Sequence, residues 1–253
     1  MENQRVKLLN TWLDVAQYMQ DAGAEIWRVE DTLEKMAASY GAVKINAFSL
    51  ISNISITCEF TDGEIISQTR RISNRVSTDL HRVEAINALT RDYCRSDMSC
   101  EELKQRLDKI MERQPGIMPI LGTILAPVAF CIFFGGSIID TVIAAAASSL
   151  LILESKTIGK YLPNAFIYNF IGALATGLAV YLCGRFIPGT HPDKSIIGVI
   201  MVLIPGISIT HSIRDIIIGD TISGSMRFVE SLIETIGIAA GYIAAMFIMG
   251  GIR

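Results

Sequence analysis

Hydrophobic positions along this 253-residue chain follow two different patterns, and the change falls near residue 115. Before it, apolar residues recur with a period. Leu9, Trp12, Leu13, Ala16 and Met19 fall at helical spacing within 6–22, and Gly23 interrupts them. A second helix is predicted over 24–40, with Gly41 as its C-cap. The pattern then shifts to Ile, Val, Phe, Thr and Ser over 43–51 and 53–60. Thr61-Asp62-Gly63 is a hairpin turn signal ahead of a further strand over 64–72. Helices over 78–95 and 99–113 follow, the second opened by the capping-box pair Ser99 and Glu102. The order helix–helix–strands–helix–helix predicts an α+β domain over residues 1–114.

After Pro115-Gly116 the chain becomes a series of apolar runs, each close to the ~20 residues that a bilayer-spanning helix needs. Five spans are predicted, about 117–137, 139–154, 162–183, 195–213 and 228–250, so residues 115–253 read as an all-α membrane domain. Pro205-Gly206 sits halfway along the fourth. Proline removes a backbone donor and clashes with the preceding turn, so this helix is expected to kink or break. Freed backbone groups in lipid are tolerated only against protein or a wet cavity. Ser208, Thr210 and His211 follow directly, and a broken helix with a polar continuation is a recurrent transporter-site design. A plain packing kink is the other reading.

A polar, glycine-punctuated stretch comes next: Arg214-Asp215, Gly219-Asp220, Ser223-Gly224 and Arg227. In the last span Glu230 and Glu234 share one helix face, which Gly237 and Gly241 continue as a seam for close helix packing. Both carboxylates are therefore expected to point toward neighbouring helices, where partial burial suits them to carrying protons. The alternative places Glu230 at the membrane surface, paired with Arg227. Asn164, Asn169, Gly172, Ala173, Thr176 and Gly177 read as helix contacts of the third span. Asp140 reads as an interfacial charge near the outer surface, with a gate residue as the alternative.

Charge sharpens the division. Residues 1–116 carry 15 Lys/Arg and 18 Asp/Glu, whereas residues 117–253 carry 7 of each. Neither half has a nucleic-acid footprint. A carboxylate near lipid costs on the order of 2.5–3.5 kcal/mol on insertion scales, so acidic residues in these runs are expected to face a bundle interior or a pathway. The opening residues are amphipathic and lack the apolar core of a signal peptide, which predicts a cytoplasmic N-terminal domain on a multi-pass inner-membrane protein. Lys156, Lys160, Arg214 and Arg227 then lie inside, and Arg185 and Lys194 outside, in weak agreement with the positive-inside bias.

Candidate chemistry is sparse elsewhere. Cys58, Cys94, Cys100, Cys131 and Cys183 are scattered, which predicts reduced thiols and neither a disulfide framework nor a zinc site. No nucleotide loop, GxSxG or HExxH is present, so no catalytic set, cofactor or metal is expected, and neither is an ATP-driven pump. Trp12 and Trp27 either frame a ligand pocket or, as is commoner, are buried helix aromatics. Arg70-Arg71 and Arg75 read as a solvated strand end, with phosphate or lipid headgroups as the alternative. His81 reads as a surface helix residue.

Two segments carry a resemblance. AGAEIWRVEDTLEKMAASYG (Ala22–Gly41) resembles the Gly-Ala…Arg-Val-Glu signature of the threonine/serine exporter family. LIPGISITHSIRDIIIGDTISGSMRFVESL (Leu203–Leu232) is similar to that family's Pro-Gly…Arg-Asp…Gly-Asp…Ser-Gly…Arg…Glu stretch. The resemblance implies an exporter of small hydrophilic carboxylates, threonine and serine in some members and succinate in others. Full-length members have about ten spans, and a chain of about five is similar to the larger subunit of the two-component succinate exporter. The resemblance therefore implies a separate small membrane subunit. His211 stands where the family more often has a neutral polar residue such as Asn, so no particular substrate is implied.

Membrane depth and charge assign the expected roles in a secondary exporter, one coupled to protons. Pro205, Gly206, Ser208, Thr210 and His211 line the substrate site, and Arg214 attracts the substrate carboxylate. Asp215, Asp220, Glu230 and Glu234 are the coupling candidates. The expected surroundings are membrane lipid, identical subunits and the small partner. Two other classes stay open: a membrane-anchored metabolite sensor or scaffold, and an intramembrane enzyme using His211 with Asp215 as an acid–base pair.

Overall fold

The computed structural model describes residues 4–72, 78–113, 116–159, 161–162 and 164–250. Arg75, Pro115, Lys160 and the terminal Gly251-Ile252-Arg253 lie outside the described residues. The chain divides into two compact units, Met1–Gln114 with His211–Arg227, and Pro115–Thr210 with Phe228–Arg253.

The first unit is α+β. Helices α1 (Gln4–Asp21) and α2 (Ile26–Ser39) precede the strands β1 (Ala42–Leu50), β2 (Asn53–Phe60) and β3 (Ile65–Arg71); α3 (Leu80–Arg95) and α4 (Cys100–Glu112) follow. The sheet is an antiparallel meander in the order β1-β2-β3. Its central strand alternates as a one-sided sheet requires: Ile54, Ile56, Cys58 and Phe60 are buried and the residues between them are half-exposed. Against them pack Leu9, Trp12, Leu13, Ala16 and Met19 of α1, with Val29, Leu33 and Met36 of α2. Trp12 is fully buried, and its indole N–H donates to the Tyr93 hydroxyl at 3.1 Å. Gly23 separates the first two helices because its φ of 86° lets Gly23 and Ala24 N–H cap the carbonyls of Gln20 and Met19. Ser99 and Asp79 cap α4 and α3 through the N–H groups of Glu102 and Arg82. Arg70 is held by Asp14 and His81 is exposed.

The second unit holds α5 (Met118–Phe133), α6 (Ile138–Thr157), α7 (Ala165–Phe186), α8 (Pro192–Leu203), the first turn of α9 (Gly206–Ile218) and most of α10 (Thr221–Ile248). Among the described residues three helices, α6, α7 and α10, are long and apolar enough to cross a bilayer. The pair α8 and α9, bent by 49° at Pro205, makes a fourth if taken as one span. The first predicted span is shorter than expected. Helix α5 has 16 residues and contains Pro127, and the chain turns at Gly135, whose φ is 80°.

Glycines set the close approaches here. A Cβ at Gly198 on α8 would lie 2.6 Å from the Pro127 carbonyl oxygen of α5. One at Gly237 would lie 2.8 Å from the Phe166 carbonyl oxygen, and one at Gly241 2.5 Å from that of Phe170. The predicted seam on α10 thus packs against α7. Beside Gly241, Tyr242 joins its hydroxyl to that of Thr176 at 2.9 Å.

Candidate functional site

The stretch 214–227, read from sequence as a connection, is helical almost throughout. Helix α9 runs to Ile218, and α10 starts at Thr221, earlier than the expected 228. The reversal is compact because Gly219 adopts φ 113°, and the N–H groups of Gly219 and Asp220 close back on the carbonyls of Ile216 and Asp215. Gly224 then brings the helices together: a Cβ there would sit 2.7 Å from the Ser212 carbonyl oxygen. Ser212 and Ser223 are buried in this turn.

Asp215 lies inside it, fully buried, and neither carboxylate oxygen has a hydrogen-bond partner among the described residues. It sits in the last turn of α9, where the helix dipole opposes negative charge. The offsetting cation is Arg227 of α10, whose Nε lies 4.0 Å from Asp215 Oδ2. Arg227 Nη1 also approaches His211 Nδ1 at 3.4 Å. His211 Nε2 in turn lies 3.9 Å from Glu25 Oε1.

Glu25 is the member that the sequence did not single out. It occupies the N-cap of α2, yet its side chain makes no cap bond. Its carboxylate instead accepts a hydrogen bond from Arg214, with Arg28 Nη2 3.6 Å away on the other oxygen. The Trp27 ring lies beside the same pair, with the guanidinium carbons of Arg214 and Arg28 each 5.4 Å from its centroid. Asp220 reaches the field of Glu30, whose carboxyl accepts the Ser49 N–H at 2.7 Å. Burial pushes the Glu30 carboxyl above its ordinary range, the Ser49 bond opposes this, and Asp220 and Glu34 add to it.

The structure therefore gathers His211, Arg214 and Asp215 with Glu25 and Arg227 in one unit, a chain of alternating charge around a buried carboxylate. Pro205, Gly206, Ser208 and Thr210 belong to the other unit. Pro205 forms the break itself, Ser208 is half-buried, and the Thr210 hydroxyl is taken by the Gly206 carbonyl at 2.9 Å. Glu230 and Glu234 also belong there; Glu230 is exposed in the single chain, as its surface alternative has it, and Glu234 is half-buried. Asp140 is not an exposed side chain. It is fully buried, accepting from Ser137 N and Oγ at 2.8 and 2.7 Å and from His191 N at 2.6 Å, so it ties the start of α6 to the start of α8. Among the described residues no group of His, Cys, Asp or Glu could hold a metal ion.

Residues 10–249 match the model of a family described as "Putative threonine/serine exporter". A "Threonine/serine exporter" of Corynebacterium glutamicum is 24% identical over 207 residues, 79% of this chain and 41% of that protein. A "Probable threonine/serine exporter" of Mycobacterium tuberculosis is 23% identical over 248 residues, 95% of this chain and 46% of that protein. The chain thus spans less than half the length of these curated relatives. No solved structure matches it.

Proposed function

The chain belongs to the threonine/serine exporter family, and on that premise we propose that it is one subunit of a secondary transporter moving small hydrophilic carboxylates out of the cell. The observation that carries this reading is the convergence of two distant segments. Glu25, from the first family-like segment, meets Arg214 and His211, from the second.

The Glu25–Arg214 pair has the charge pattern of a bound amino acid turned inside out. A threonine or serine zwitterion entering between them sets its carboxylate on Arg214 and its ammonium on Glu25, replacing one pair by two. A succinate-like dicarboxylate satisfies Arg214 but meets Glu25 as a like charge. Threonine and serine are thus the favoured cargo and the dicarboxylate the second choice. Pro205, Gly206, Ser208 and Thr210 supply the broken helix and hydroxyls of the route, because half-helix ends suit substrate charge. Asp215 is the coupling group of choice, a buried carboxylate that Arg227 connects to His211. Asp220 and Glu234 follow it, and Glu230 comes last because it is exposed.

In the membrane, α6, α7, α10 and the bent pair α8–α9 make four crossings and α5 a fifth, with residues 1–114 on the cytoplasmic side. A separate small membrane subunit and identical copies of this chain assemble with it. The test is efflux of radiolabelled threonine, serine and succinate from loaded cells making this chain alone and then with the small subunit. Export of threonine and serine only with both is the expected result. No export of any solute in either case would transfer the weight to a membrane-anchored sensor. Glu25→Gln should depress threonine export more than succinate export, and an unchanged ratio refutes the pairing of Glu25 with the ammonium.

A further inference from the structure

A cavity of about 470 Å³ opens between α2 and α3, within the size range of small-molecule sites. Trp27, Arg28, Asp31 and Lys35 line it from α2, and Arg91 and Arg95 from α3. Its charge is one-sided: four cations and a single carboxylate, in a half of the chain where acidic residues outnumber basic ones. Asp31 does not redress this, since it is engaged by Lys35 at 2.7 Å. Arg28 is only partly engaged, 3.6 Å from Glu25. Arg91 and Arg95 have no ion pair or hydrogen bond among the described residues. They stand one turn apart on one face of α3, where like charges repel.

A second observation points to a missing acceptor. The Trp27 Nε1 is buried and has no hydrogen-bond partner among the described residues. Buried donors are nearly always paired, and this one belongs to a residue that lines the cavity. The glutamates of α2 do not serve. Glu30 accepts from Ser49, and neither Glu30 nor Glu34 lines the cavity.

We propose that this cavity binds a phosphate group, carried by a small metabolite or by a lipid headgroup. A phosphate monoester brings close to two negative charges and three strong acceptor oxygens, which suits two unpaired guanidinium groups and a third that is shared. Guanidinium forks take such oxygens in pairs. An amino-acid zwitterion suits it poorly, because it carries an ammonium into a field of cations. The site is therefore distinct from the transport site, although Arg28 lies 3.6 Å from Glu25. A phosphate that engages Arg28 draws it from Glu25 and leaves Glu25 to Arg214 and His211.

The test is isothermal titration of the full chain in detergent with glycerol 3-phosphate, inorganic phosphate and a short-chain phosphatidic acid, at constant ionic strength. Saturable binding of glycerol 3-phosphate or inorganic phosphate, weakened at least ~10-fold in Arg91→Gln/Arg95→Gln, supports a metabolite site. Saturable binding of the phosphatidic acid alone, weakened likewise, supports a headgroup site. Both arginines are exposed, so the double variant is expected to fold, and an unchanged thermal midpoint verifies it. No saturable binding of any probe, or equal affinity in the double variant, overturns the proposal. Export is not read in this experiment, so its outcome is independent of the efflux test.

Discussion

Arg227 and Asp215 should be energetically coupled far more strongly than an ordinary surface pair. Asp215 is fully buried and Arg227 nearly so, at 9% exposure, with 4.0 Å between Nε and Oδ2. Two unit charges at that distance attract by about 4 kcal/mol at an effective dielectric near 20. Little solvent is present to screen them. Arg227→Gln removes the cation and leaves a buried carboxylate without compensation, which costs on the order of 3–5 kcal/mol. At about 2–4 °C per kcal/mol for a chain of this size, the thermal midpoint should fall by roughly 6–20 °C. Asp215→Asn is milder, since Arg227 keeps its approach to His211, and should cost about 1–3 kcal/mol for a buried amide poorly paired. The double variant removes both charges and should recover at least about 2 kcal/mol relative to the sum of the singles. The assay is thermal unfolding of the full chain in detergent, read as the soluble fraction after heating. Single effects that add to within about 0.5 kcal/mol would refute the coupling.

Three further outcomes follow from the same geometry. Gly224→Ala places a Cβ 2.7 Å from the Ser212 carbonyl oxygen and 2.9 Å from Ile216 N. Both atoms are backbone, so α9 and α10 must separate, and a midpoint loss equivalent to about 1–3 kcal/mol is expected; an unchanged midpoint contradicts the close approach. Thr176→Val deprives the buried Tyr242 hydroxyl of its 2.9 Å partner and should cost about 1–2 kcal/mol in the same assay, whereas no cost means the bond is not formed. Glu30 titrates above its ordinary value of 4.5 because it is buried. The folded chain then binds this proton more tightly than the unfolded chain, so the stabilisation is full at low pH and is lost as pH rises from the ordinary value through the raised one. Glu30→Gln should accordingly raise the midpoint near pH 7 and leave it unchanged below about pH 4. An equal shift at both values sinks the assignment.

Much of the fold was legible because its signals are local. The helical spacing of Leu9, Trp12, Leu13, Ala16 and Met19 required only a buried face, and the alternation of β2 only a one-sided sheet. Gly23, Gly41 and Gly63 all adopt positive φ, so their punctuation was read correctly. Pro205 marked the break between α8 and α9 for the same local reason. Gly219 and Gly224 misled because the two residues do different work. One terminates α9 and the other lets α10 approach it, and a loop reading blends them. His211, Arg214 and Asp215 were visible as polar groups in an apolar stretch. That Glu25 joins Arg214 across 189 residues has no local signature, nor does the tie between Asp140 and His191.

Glu25 is a choice that α2 alone does not explain. A Ser, Thr, Asp or Asn at the N-cap accepts a helix N–H, and forgoing that bond typically costs about 1 kcal/mol. Glu25 stands at that position and makes no cap bond, its carboxylate committed to Arg214 instead. Arg214 is half-exposed and has its guanidinium near the Trp27 ring as well, so two residues at the α2 start hold it. A domain whose only task was to assemble subunits would have no need of this arrangement, because nothing about oligomer formation requires an arginine from α9. Any anion that takes Arg214 must take it from Glu25, so on the function proposed above a substrate carboxylate reaching Arg214 releases the Glu25 carboxylate or brings it an ammonium. We propose on this ground that Arg214 is the residue through which the first unit takes part in transport.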